Sequence, residues 1–185
     1  MRRKKVCKVR LFVPVLLALL AVFSIASGSK EDVVTKGCVY YVDLYLKQFP
    51  NLTLEEVTAT VEQESNFNPK LKCIEKKVRD VSHGPMQVRG KTLRKTLYYA
   101  GPLDAVCSWE LGLYYGMQYL SYCKSVAAKL SSDSETIRRH MWARYNGGTY
   151  YYTQNNNGDW IYINENYIRA CEKNFKEFSS YLPAH

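Results

Sequence analysis

The sequence predicts a predominantly α fold of the α+β kind: one helical domain with a short β-hairpin, preceded by an N-terminal signal peptide. Three observations carry that expectation. Apolar residues recur at helical spacing through most of the chain beyond residue 30. Proline, glycine and asparagine cut these stretches into ordinary helix lengths. Between Thr149 and Asn164 the pattern turns instead to β-formers around an Asn-Gly pair. With 185 residues the chain suffices for one domain with a full core.

The first 28 residues read as an export leader. Arg2, Arg3, Lys4, Lys5, Lys8 and Arg10 precede the apolar run Leu11 to Ala26, and Ser24, Ala26 and Gly28 offer cleavage after Ala26 or Gly28. A short membrane anchor is the alternative, although a helix over that run spans only ~24 Å against a hydrocarbon core of ~30 Å. Cys7 precedes the apolar run instead of following it, which argues against a lipoprotein. The folded domain is expected over residues 29–185.

Asp32 to Phe49 places Val34, Cys38, Tyr41, Leu44 and Tyr45 near one helical face, and Pro50 stops it. The next helix opens with the S/T-x-x-E capping box of Thr53 and Glu56, and carries Leu54, Val57 and Val61 on one side, with Glu64 continuing the stripe. After Pro69 the lysine-rich stretch to Ser82 and the Gly84-Pro85 pair predict loop or short irregular strand before Met86 and Val88. Helices resume at about Lys91 to Tyr99, about Ala105 to Leu130 and about Ser134 to Tyr145, the last ended by Asn146, Gly147 and Gly148. The hairpin pairs Tyr150 to Thr153 with Trp160 to Ile163 across Asn157-Gly158, and its aromatics are expected to pack mainly on one another. A closing helix, Glu165 to Tyr181, aligns Tyr167, Ile168, Cys171, Phe175 and Phe178.

The net charge of +9 overstates the basicity of the domain, because the leader holds six of the 26 basic residues and no acid, leaving 20 against 17. That balance gives no support to a nucleic-acid partner. Five cysteines follow the leader (Cys38, Cys73, Cys107, Cys123, Cys171). An exported protein with five is expected to form at least one disulfide and to leave a thiol over. If Cys107 to Cys123 is one helix, those two lie ~24 Å apart, beyond disulfide reach. CxxC spacing and adjacent histidines are missing, so a zinc site is not expected, and nothing else in the sequence implies a metal or a cofactor. His83 reads as structural or exposed, and His140 as a helix-surface or helix-end residue.

Glu64 is the candidate for chemistry. It stands in line with Val57 and Val61 on the face a helix buries, in the last turn, where the helix dipole also disfavours a negative charge. Both effects raise a carboxyl pKa, and a carboxylic acid kept protonated near neutrality suits protonation of a glycosidic oxygen. The plainer alternative is a buried glutamate bonded to a neighbour.

The segment Glu64-Ser65-Asn66-Phe67-Asn68-Pro69 resembles the E-S-x-F-N-P motif of the soluble lytic transglycosylase family. Ser82-His83-Gly84-Pro85-Met86-Gln87 is similar to that family's S-x-G-L-M-Q segment, and Ala143-Arg144-Tyr145-Asn146-Gly147-Gly148 to its A-x-Y-N-x-G segment. A weaker match, Leu113-x-x-Gly116-x-x-Tyr119-Leu120, is similar to the family's I-x-x-G-x-x-Y-L helix. The resemblance covers about Asn51 to Tyr167 and implies a lysozyme-like domain over residues 29–185. By the same resemblance Glu64 is the sole catalytic acid and base, and Ser65 orients it. Met86 and Gln87 line the sugar cleft, while Tyr145 and Asn146 face the catalytic centre, the Tyr145 hydroxyl near Glu64. Two positions depart from the motifs: Pro85 replaces the usual leucine, and Gly112 stands where asparagine is common.

The reaction so implied is cleavage of peptidoglycan glycan strands with formation of 1,6-anhydro-muramic ends, by a monomer exported to the periplasm or cell wall and touching membrane only through an uncleaved leader. A goose-type lysozyme, with a second acid such as Asp80 holding a water, is the enzymatic alternative. A glycan-binding module without activity, or a wall-opening component of a secretion, conjugation or phage system, belongs to a different class.

Overall fold

Six helices and two small antiparallel sheets make up residues 36–148 and 152–181, the part of the chain that the computed structural model describes. In chain order these are α1 (Lys36–Leu46), α2 (Leu54–Ser65), strands β1 (Lys72–Glu75), β2 (Asp80–His83) and β3 (Val88–Arg89), α3 (Gly90–Lys95), a 3-10 turn (Leu103–Val106), α4 (Trp109–Ala127), α5 (Ser134–Gly147), β4 (Tyr152–Gln154), β5 (Trp160–Tyr162) and α6 (Glu165–Tyr181). The fold is α+β and mostly helical. The leader, and Tyr150 and Tyr151 of the expected hairpin, lie outside the described residues. No helix among the described residues is long and apolar enough to cross a membrane.

Helix α2 starts where its capping box puts it. The Thr53 hydroxyl accepts from the Glu56 amide at 3.3 Å, and the Glu56 carboxylate accepts from the Thr53 amide at 3.0 Å, so two orphan N–H groups are satisfied reciprocally. Glu56 is 2% exposed and its carboxylate also meets the Lys124 ammonium of α4 at 2.6 Å. Val57 and Val61 of α2 pack into a core with Leu113, Met117, Leu120, Met141, Trp142 and Ile168, all fully buried. The Trp142 indole donates to the Thr60 hydroxyl at 3.1 Å, which ties α5 to α2 and spares a buried N–H its desolvation cost. α6 lies along α2 and α4 along α5, with α1 against α4.

The lysine-rich stretch after Pro69 is a strand hairpin. β1 pairs antiparallel with β2, Glu75 opposite Asp80 and Lys72 opposite His83, and β2 pairs in turn with β3. Its periodicity is invisible in the sequence because β1 is mostly solvated, with Ile74 71% exposed.

The helix expected to Tyr99 ends at Lys95, and Tyr98 is left-handed at φ +53°. The helix expected from Ala105 is split: Ser108 caps α4 at the Leu111 amide, so Cys107 precedes the helix. All five cysteines are free, with Cys38, Cys123 and Cys171 buried in the packing, Cys73 exposed and Cys107 part-exposed. The expected disulfide is not formed among them.

The second hairpin forms, but around a loop of residues 155–159 instead of a two-residue turn. The Asn155 side chain accepts from the Asn157 and Asp159 amides at 2.9 Å, and Gly158 alone takes a left-handed conformation in the loop, at φ +85°. Its aromatics do not merely pack on one another. Tyr152, Trp160 and Tyr162 enclose His140 of α5, the rings of Tyr152 and Trp160 each 4.4 Å from the imidazole. His140 is thus fully buried, where a surface or helix-end position was expected, and this burial pushes its pKa down to about 4.

Candidate active site

The end of α2 delivers Glu64 to a cleft. Asn66, left-handed at φ +48°, caps the helix by donating its amide to the Glu62 carbonyl, and Phe67 follows at φ +59°, so the chain turns sharply away before Pro69. Such a backbone is strained for phenylalanine, and burial of its ring against Phe178 of α6 opposes that strain. Glu64, one turn beyond Val61, keeps to the buried stripe. The residue is half-buried and its carboxyl group is enclosed.

Burial raises the Glu64 pKa to about 7; the Glu75 charge acts in the same direction, while a hydrogen bond from Tyr167 and the Arg89 guanidinium oppose it. The Tyr167 hydroxyl, from α6, donates to Oε1 at 2.6 Å. Around the cleft stand Glu64, Glu75 from β1, Ser82 from β2, Arg89 from β3, Tyr119 from α4, and Tyr145 and Asn146 from α5. Gln87, which leads into β3, completes the floor.

Four of the six residues singled out in the sequence meet at this cleft, and two do not. Gln87 is held left-handed at φ +45° while its amide donates to the Leu71 and Gly84 carbonyls at 2.9 and 2.7 Å, and its Oε1 is buried without a partner. Asn146 is exposed at the rim and accepts from Asn164 at 3.0 Å. Tyr145 lines the cleft close enough for the Glu64 charge to raise its pKa, and its hydroxyl donates to the Met86 carbonyl at 2.7 Å; the tyrosine hydrogen-bonded to Glu64 is Tyr167. Ser65 does not orient Glu64: its hydroxyl bonds back to the Val61 carbonyl at 3.1 Å, the usual refuge of a buried serine in a helix. Met86 is fully buried and does not line the cleft, because its side chain is spent on α4, where Gly116 leaves room for it.

The two departures from the motifs touch each other. A Cβ built on Gly112 falls 2.3 Å from the Pro85 ring and 2.5 Å from the Val106 carbonyl oxygen. Pro85 therefore fits because position 112 has no side chain. Gly84, at φ +77°, faces the same Val106 oxygen, which a Cβ would meet at 2.2 Å. Proline at 85 thus presses the loop 84–87 onto α4 and leaves the cleft face of that loop to Gln87.

Tyr167, Glu75 and Arg89 escaped sequence reasoning as site residues. Tyr167 carried a signal, its place on the stripe of the closing helix. Glu75 carried none beyond belonging to the charged stretch, and Arg89 none at all. Asp80 is engaged elsewhere, its carboxylate accepting from the Val81 and Lys91 amides at 2.9 and 3.1 Å. Among the described residues no three or more His, Cys, Asp or Glu side chains are grouped to hold a metal ion.

Comparison of the chain with family models, curated proteins and solved structures found no match. An enclosed carboxyl at a cleft, its pKa raised by burial to about 7, can give a proton to a leaving oxygen and take one back.

Proposed function

We propose that the protein cleaves the β-1,4 bond between N-acetylmuramic acid and N-acetylglucosamine in peptidoglycan as a lytic transglycosylase, with Glu64 as acid and base. The enclosed Glu64 carboxyl at the cleft, with its pKa raised to about 7, carries the reading. The motif resemblance around Glu64, Gln87, Tyr145 and Asn146 supplies the substrate class.

In the first step Glu64 gives its proton to the glucosaminyl O4 as the bond from muramic C1 to O4 breaks. The Glu64 carboxylate then takes the proton of the muramic 6-hydroxyl while O6 bonds to C1. The products are a free 4-hydroxyl and a 1,6-anhydro end, and no water is consumed. Tyr167 holds the carboxyl in place through both steps, and Gln87 and Asn146 contribute polar groups to the cleft wall. The leader directs this monomer to the periplasm or cell wall.

Purified peptidoglycan digested with the enzyme is expected to release muropeptides ending in 1,6-anhydro-muramic acid, read by mass spectrometry. Undigested wall, or release unchanged by Glu64→Gln, overturns the proposal.

A further inference from the structure

Sequence reading finds one acid for the cleft, whereas the fold brings two. Glu75 lies on β1, eleven residues beyond Glu64 in the chain, and lines the same cleft. The Ser82 hydroxyl of the adjacent strand donates to Glu75 Oε1 at 3.3 Å, which orients the carboxylate. Glu75 makes no ion pair among the described residues; the neighbouring lysines of the hairpin are solvated, and Lys72 pairs instead with Asp104 at 2.8 Å. A half-buried carboxylate that shares a cleft with an acid and has no cation within ion-pair distance, although Arg89 lines the same cleft, is placed to accept a proton from whatever enters that space.

We infer that Glu75 admits water as a second acceptor in this cleft, so that the enzyme releases reducing ends alongside anhydro ends. The inference rests on the proposed glycan cleavage. In this branch Glu64 gives its proton to O4 as the C1–O4 bond breaks. The water oxygen bonds to C1, and the water proton passes to the Glu75 carboxylate, which returns it to solvent while Glu64 is reprotonated. One water is added per bond cleaved. The two branches share the acid and differ in the acceptor, so the ratio of products reports on Glu75 independently of total rate.

The experiment is digestion of purified peptidoglycan by the wild type, Glu75→Gln, Glu75→Asp and Ser82→Ala. Reducing ends are labelled with borohydride, and anhydro and alditol muropeptides are counted by mass. In Glu75→Gln the ratio of reducing to anhydro ends is expected to fall by about 100-fold, the low side of what a positioned base contributes. Glu75→Asp, which keeps the charge but withdraws it by one methylene, should fall between, and Ser82→Ala should shift the ratio least. An active wild type that yields anhydro ends alone, or a ratio equal in wild type and Glu75→Gln, overturns the role of Glu75 while leaving the proposed function standing. A wild type inert on peptidoglycan overturns both.

Discussion

The two ends of helix α2 each bury a glutamate, and they treat it in opposite ways. At the N-terminal end Glu56 accepts a backbone N–H and meets the Lys124 ammonium with both oxygens, at 2.6 and 2.7 Å, where the helix dipole also favours negative charge. At the C-terminal end Glu64 faces the unfavourable pole of the same dipole, a neutral hydroxyl from Tyr167, and a second carboxylate, Glu75. The contrast shows that burial alone does not mark a reactive acid. What marks it is burial without a cation in direct contact, Arg89 acting on Glu64 only across the cleft, since Glu56 is the more buried of the two and is wholly committed to structure.

The largest expected effect tests the C-terminal end. Glu64→Gln should leave the fold intact and reduce muropeptide release by about 10³-fold, because the amide cannot cycle a proton. The division of labour breaks if Glu56→Gln does the same without loss of stability. Glu56→Gln should instead lower stability by about 3 kcal/mol, the cost of leaving a buried partner charge alone, and lower Tm by about 10 °C for a domain of this size. Activity per folded molecule should persist, and thermal denaturation followed by circular dichroism, paired with an assay well below Tm, separates the two effects.

The third test sharpens the contrast through pH. The acid form of Glu64 is present below its pKa of about 7 and is lost as pH rises through that value, so cleavage should decline on the alkaline side of 7. The same raised pKa means that the folded chain binds a proton which the unfolded chain releases near 4.5, the ordinary value of a solvated glutamate. Between those two values stability should therefore fall as pH rises. Glu64→Gln should remove this contribution from a denaturant series. The smallest effect is expected from Tyr167→Phe. It deletes a hydrogen bond that favours the charged form, so the alkaline limb should move to higher pH with a modest loss of rate. A limb that stays in place means that Tyr167 does not set the acidity of Glu64.

What could be read from the sequence was local. The capping box of Thr53 and Glu56 and the stripe Val57, Val61, Glu64 each lie within a few turns of one helix, where spacing dictates neighbours. Tyr167 was visible as a member of an apolar stripe but not as the partner of Glu64, because that contact joins residues 103 apart. Glu75 was hidden for another reason: a hairpin with little buried surface has no alternation to read, so the register that sets Glu75 beside Ser82 emerges only from strand pairing. Ser65 and Met86 lie in matching segments, yet their side chains turn to the helix backbone and to α4, a choice that motif position does not encode. His140 was misjudged because the rings that bury it arrive later in the chain, on β4 and β5.

The contact between Pro85, Val106 and Gly112 also bears on how this chain can be re-engineered. A helix carrying asparagine at 112 would drive its Cβ into both the proline ring and the Val106 carbonyl, so a graft that imports the helix without the loop yields a clash behind the loop that carries Gln87. Positions 85 and 112 are therefore sterically coupled: a side chain at 112 requires a change at Pro85 or a shift of the loop. Gly112→Ala alone should displace the loop that holds Gln87, and Gly112→Ala with Pro85→Gly should relieve the clash with the proline ring.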